Sequence, residues 1–137
     1  MLRYVDDPVY TRPVTVRWPD RTDSFTARFR VLPTDDARLA WAGLDAARAE
    51  AATLGDTPPD RTFAHRLDDA IAAGLAGVWA GWEAGEVVGA DGAPIAFTPE
   101  LGARLLRFAA VRDALWRALT DDGSDPAAAE IEARAGN

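Results

Sequence analysis

The spacing of hydrophobic positions changes period along the chain, and each change marks an element. Val14, Val16 and Trp18 alternate with Thr15 and Arg17; after a turn-forming run at 19–24, Phe25, Ala27, Phe29 and Val31 alternate with Thr26, Arg28 and Arg30. A period of two with one apolar face is the mark of a half-buried strand, so residues 13–32 read as an antiparallel β-hairpin. Residues 1–12 show no clear period and read as irregular. A hairpin alone is marginal in water, so its Phe and Trp face has to be covered by helices or by another chain.

Helical spacing begins after Pro33. Thr34 is placed as the N-cap, with Asp35 and Asp36 in the first turn, where the helix dipole favours acids. Leu39, Trp41, Leu44 and Ala47 partly follow the helical period, while Arg38, Asp45, Arg48 and Glu50 supply a wet face. The helix is expected to end near Leu54 and Gly55, with 56–60 as a rigid connector. From about Thr62, Leu67, Ile71, Leu75, Val78 and Trp82 recur at steps of four, four, three and four, the cleanest helical stripe in the chain. Gly74, Gly77 and Gly81 weaken that helix by roughly 1 kcal/mol each relative to Ala, which calls for close helix packing or a subunit contact in return.

Residues 79–107 then read as the tail of this helix, a short strand, a turn at Asp91-Gly92, a second short strand at Pro94, Ile95, Ala96 and Phe97, and a new helix. Thr98 can cap that helix, Pro99 suits its first position and Glu100 favours its positive end. It is expected to run from 99 to about 120, with Leu101, Leu105, Phe108, Val111, Leu115 and Leu119 on one side, until the turn formers at 121–126 stop it. Residues 127–137 are Ala-rich with little apolar surface and are expected to form a flexible tail. The class that follows is α+β: a single domain over 1–126, with a hairpin at about 13–32, a mainly helical region at about 34–120 and a small second hairpin before the last long helix. Pattern alone leaves open whether the two hairpins share one sheet.

Composition narrows the function classes. With 137 residues and 48% hydrophobic content, the chain can bury one modest core. The formal charge is −7, from 22 acidic and 15 basic residues, and every basic residue is Arg. Phosphate affinity needs a concentrated basic surface, so a general nucleic-acid binder is not expected. There is no Cys, hence no disulfide and no thiolate metal site. Residues 1–13 hold acids and prolines where a signal peptide needs an apolar core, and no apolar run of about 18 residues occurs, so no membrane partner and a cytoplasmic location are expected.

The residues that carry chemistry are sparse. His65 is the only histidine, and a triad hydrolase needs a nucleophile and an orienting acid converging on it. Ser24 and Ser124 are the only serines, both in turn-rich segments. Asp68 and Asp69 read as a polar face or as partners of Arg66 and Arg61. The acid pairs at 35–36, 68–69 and 121–122 match no calcium-loop spacing, and capping and turn chemistry account for two of them. The run at 85–92 is glycine-rich but has neither the Lys of a phosphate loop nor dinucleotide-fold spacing, so it reads as a hairpin. No catalytic residue, cofactor or metal site is expected, and the protein reads as a non-enzyme. Trp18, Trp41, Trp79, Trp82 and Trp116 are many for so short a chain. Either the core uses large side chains, or one or two of them form an exposed patch for a partner or for self-association.

The run from Trp82 through Asp91-Gly92-Ala93-Pro94-Ile95-Ala96-Phe97-Thr98-Pro99-Glu100 to Leu101, Leu105 and Leu106 resembles tail assembly chaperones of long-tailed, siphovirus-like bacteriophages and prophages. There a Trp-containing helix end leads into D-G-x-P-(I/L)-x-F-(S/T)-x-E and a Leu-rich helix. The similarity reaches upstream to the strand ending Phe29-Arg30-Val31-Leu32-Pro33 and its acid-rich helix start, and downstream to Ala114-Leu115 and an Asn-terminated tail. It departs at a degenerate loop from Gly85 to Gly89 and in an ending without Lys. The resemblance implies a non-enzymatic helper that binds the tape measure protein, keeps it soluble, helps recruit major tail-tube subunits, acts in the cytoplasm of the infected host and is absent from the mature virion. Self-association is expected, and Trp79, Trp82, Phe97 and Trp116 are the expected partner-binding residues, packing helix-in-groove. The alternative is a structural virion component such as a head-tail connector or tail-terminator protein.

Overall fold

A computed structural model describes residues 1–58 and 60–120; the tail expected at 127–137 and the acid pair at 121–122 lie outside them. The fold is α+β. Strand β1 (Val9–Arg17) pairs antiparallel with β2 (Thr22–Arg30), helices α1 (Thr34–Leu54) and α2 (Arg61–Val78) follow, and β3 (Trp79–Trp82) returns to pair with β2. Two further helices, α3 (Pro99–Leu105) and α4 (Ala109–Leu119), complete the order. The sheet is three-stranded, β1-β2-β3.

The hairpin forms where the alternation places it, but it starts earlier. Val9 to Arg12, expected to be irregular, are part of β1. The phase of the ladder explains how Pro13 is tolerated. Val31 N donates to Pro8 O and Trp18 N to Arg21 O, so even-numbered β1 residues exchange hydrogen bonds with β2 and odd-numbered ones turn their backbone outward. Pro13 therefore lacks an N–H only on the outer edge, where no strand needs it. Next to it the Arg12 guanidinium donates to Thr11 O at 3.0 Å. The free edge of the sheet is thus blunted at its middle.

The inner face carries Val14, Val16, Ala27 and Phe29, all buried, and α2 and α4 cover it with Leu75, Val78, Val111, Ala114, Leu115 and Leu119. Here the regular apolar spacing of α4 does what it predicts. The cap of α1 differs: Thr34 is the first helical residue, Pro33 precedes it in extended conformation, and no side-chain cap bond forms. In α2, Asp60 supplies the cap by accepting from Phe63 N at 2.7 Å.

The α2 stripe ends sooner than its periodicity predicts. Trp82 is not helical, because Trp79 already adopts extended backbone and the next residues join the ladder of β2. A register shift between Arg28 and Phe29 leaves Ala80 as the extra residue, and Gly81 takes φ 141, a conformation L side chains rarely adopt. The helical glycines are compensated within the chain. Trp41 of α1 lies on Gly74, where a Cβ would be 2.1 Å from ring carbons, and Ala40 approaches the Cβ position of Gly77 at 3.1 Å. With Gly43 against Ala70, these contacts define an antiparallel α1–α2 pair in close approach.

The last helix is broken. Its expected single run from 99 to about 120 splits at 106–108, where Arg107 N bonds Arg104 O and Phe108 N bonds Leu105 O, and Phe108 then turns extended at the start of α4. Arg112 donates to the carbonyls of Leu106 and Arg107 at 3.0 and 3.1 Å. The break turns Leu106 and Val111 into the core and leaves Phe108 52% exposed. Thr98, Pro99 and Glu100 start α3 as expected, with Thr98 Oγ1 accepting from Leu101 N at 3.1 Å. The small second hairpin is reduced to one bridge, Val88 opposite Pro94, closed over a turn in which Gly92 has φ 79.

Candidate functional site

The aromatic residues of β2, β3 and the loop beyond converge at one end of the sheet. Phe97 packs edge-on against Trp79 and Trp82, with centroids at 5.1 and 5.0 Å, and Phe25 meets Trp82 edge-on at 6.4 Å. Close approach is possible because Phe97 rests on two glycines: a Cβ at Gly81 would meet it at 3.2 Å and one at Gly102 at 2.9 Å. Trp82 Nε1 donates to Ile95 O and Trp79 Nε1 to Gly81 O, each at 2.9 Å. Both indoles are therefore satisfied inside, as buried tryptophans need to be.

Trp79 is 2% exposed and Trp82 7%. Neither belongs to an exposed patch, which corrects their expected place on a partner-binding face. The two residues share the inner face of the sheet with Phe29 and Ala27, opposite which they pair. Phe97 and Trp116 are half-buried. Trp116 is held by Trp41 at 5.7 Å and by Arg48 over its ring at 6.0 Å, and so links α1 to α4.

Beside the cluster lies an open groove of about 380 Å³, lined by Val16, Trp18, Phe25, Trp82, Val87, Val88 and Leu105, with Arg21, Asp23 and Glu86 at its rim. The rim charges are already engaged. Asp23 accepts from Trp18 Nε1 at 2.8 Å and from Arg21 Nε at 3.2 Å, and the Arg21 guanidinium lies over the Trp18 ring. Glu86 accepts from the Thr26 backbone N–H at 2.5 Å. That carboxylate occupies the place a further residue of β3 would hold, continuing a ladder whose last backbone bond is Glu83 N to Thr26 O. Glu86→Ala should loosen this loop: the Thr26 amide loses its partner, at about 0.5–1.5 kcal/mol, and should exchange severalfold faster by hydrogen exchange. Glu86→Gln keeps an acceptor oxygen and should retain most of the protection.

Exposed apolar side chains sit at the lip. Phe108 stacks edge-on against Trp18 at 5.6 Å, and Val88 is 52% exposed. Sequence reading assigned Phe108 to a buried helix face, because its spacing fits one; only the break at 106–108 turns it outward. Glu86 was also missed as a tether, since a single carboxylate in a glycine-rich run gives no signal.

Residues weighed for catalysis are not assembled. His65 is exposed on α2 and Ser24 is exposed on β2, and no hydrogen bond joins them. Asp68 lies 3.9 Å from the Arg112 guanidinium. Among the described residues no group of three His, Asp or Glu side chains is placed to hold a metal ion, and no helix is long and apolar enough to cross a membrane. The groove therefore offers rings and aliphatic surface whose neighbouring charges are already paired, an arrangement suited to holding an apolar side chain. No family model, no curated protein and no solved structure matches this chain.

Proposed function

We propose that this protein is a tail assembly chaperone of long-tailed bacteriophages or prophages, a non-enzymatic helper that binds the tape measure protein, keeps it soluble and helps recruit tail-tube subunits. The observation that carries the reading is the run at 82–107, where the main positions of the resembling pattern have packing tasks. Asp91 and Gly92 close the turn, Ile95 O receives the Trp82 indole, Phe97 wedges between Gly81 and Gly102, and Thr98 caps α3. These packing tasks make no catalytic demand on the run.

With Trp79 and Trp82 inside, the sticky face of this reading moves to the groove and its lip, Trp18, Val88 and Phe108. A long helix presenting apolar side chains in rows can set them into such a groove. Self-association and action in the host cytoplasm belong to the same reading.

Co-expression with the tape measure protein tests it. The wild-type chain should move the tape measure protein into the soluble fraction, and Val88→Ser with Phe108→Ser should cut that yield severalfold while leaving the circular dichroism spectrum unchanged. Mass spectrometry of purified particles should find no stoichiometric copy of the chain. A soluble yield that ignores the chaperone, or a constant copy number in finished virions, overturns the proposal.

A further inference from the structure

Among the described residues, helices cover only one face of the sheet. The other face, set by the register, carries Val9, Thr11, Thr15 and Arg17 from β1 and Ser24, Arg28 and Arg30 from β2, all exposed. In a chain with seven more acids than bases, this face presents three guanidiniums. Arg30 donates to Trp79 O at 3.1 Å, and among the described residues neither the Arg17 nor the Arg28 guanidinium forms an ion pair or hydrogen bond. No Asp or Glu of β1 or β2 points to this side, since Asp23 lies on the inner face beside Val16. The acid that does reach the strands, Glu86, is spent on Thr26.

The shape of the face is as specific as its charge. Arg28 and Arg30 stand at one end and Arg17 at the other, with hydroxyl side chains and Pro13 between them as a low floor. Arg28 pairs with Thr11, six residues from Arg17 along β1, which is about 20 Å at the rise of a strand. A helix covers that distance in about 13 residues. The edge beside the face is blunted by Pro13 and Arg12, so backbone pairing with an incoming strand is disfavoured there.

We infer that the outer face of the β1–β2 hairpin docks an acidic α-helix of a protein partner, with carboxylates about 13 residues apart meeting Arg17 at one end and Arg28 and Arg30 at the other. A helix laid there completes a second layer on the sheet, the usual way such a face is covered. Nucleic acid is the poorer fit, because the face has only three cations and no ring on which a base could stack, and the whole chain repels phosphate. The inference is independent of the chaperone proposal and uses a different surface.

The test uses the full chain and three labelled probes: an Ala-rich helical peptide of about 20 residues with Glu spaced to match, its Gln counterpart, and a single-stranded oligonucleotide. By fluorescence anisotropy the Glu peptide should bind, the other two should not, and binding should weaken as salt is raised from low to physiological strength. Arg17→Ser with Arg28→Ser should weaken binding roughly fivefold or more, while Arg17→Lys with Arg28→Lys should keep most of it. Arg38→Ser, on α1, should change nothing. Absence of binding by the Glu peptide, equal binding by the serine variant, or preference for the oligonucleotide overturns the inference.

Discussion

Replacing Trp79 by Ala should remove a large share of the stability of the fold. The side chain is 2% exposed, contacts the rings of Phe25, Trp82 and Phe97, and donates its indole N–H to Gly81 O. Truncating a buried Trp to Ala removes both transfer energy and packing, about 3–5 kcal/mol. A domain of this size has roughly 5–15 kcal/mol in total, so the loss is a large share of its stability. Trp79 also joins elements distant in sequence, since it ends α2, pairs with Phe29 and underlies Phe97. Equilibrium denaturation in urea, followed by far-UV circular dichroism, should show a midpoint lowered by about the ratio of that loss to the m-value. Trp79→Phe keeps most of the ring volume but leaves Gly81 O without its donor, and should fall between Ala and wild type. A loss below about 1 kcal/mol for Trp79→Ala would mean that this residue is not in the core. Trp79→Ala therefore reports on folding and cannot be used to probe a binding surface.

The second large effect reverses a general rule. Gly→Ala inside a helix ordinarily stabilises by about 1 kcal/mol. At Gly74 it should destabilise by about 1–3 kcal/mol, because the new methyl would occupy space held by the Trp41 ring, 2.1 Å from its carbons. Displacing that ring also disturbs its edge contact with Trp116. The control is Gly43→Ala on the facing helix, where the added carbon would meet the Ala70 methyl at 3.4 Å and its Cα at 3.8 Å, ordinary contacts. That change should stabilise by about 0.5–1 kcal/mol. Two glycines of one helix pair should thus respond with opposite signs. A double-mutant cycle completes the argument: Trp41→Leu should relieve Gly74→Ala, giving a coupling energy of roughly 1 kcal/mol or more by thermal or urea denaturation. Additive effects would show that Trp41 does not rest on Gly74.

These two residues also show what could be read from the chain and what could not. The hairpin was legible because its alternation is strict and its turn residues are concentrated between the strands. The start of α3 was legible because Thr98, Pro99 and Glu100 are local signals, each acting within one turn. The glycines of α2 announced that something must sit close, but not what, since Trp41 reaches Gly74 only once α1 folds back. Trp82 continued the helical count by coincidence: Trp79 to Trp82 could satisfy either period, and the open edge of β2 decided for the strand. The break at 106–108 left no trace in the periodicity, because Leu101, Leu105, Phe108 and Val111 keep helical spacing across it and no Gly or Pro marks it. The candidate site was the least legible part. Its largest rings were recognised, but aromatic content alone does not separate a core from a surface, and the partition into buried Trp79 and Trp82 and exposed Phe108 depends on tertiary contacts. The arginines of the outer sheet face are visible in the alternation, but alternation alone does not show that they gather on one uncovered side.

Pro13 and the Arg12 side chain on the outer strand have a consequence for how copies of this protein can gather. Continuous main-chain pairing of one molecule with the next is interrupted at the middle of that margin, which checks growth into a fibre. Contacts between neighbours along that margin then fall chiefly to side chains.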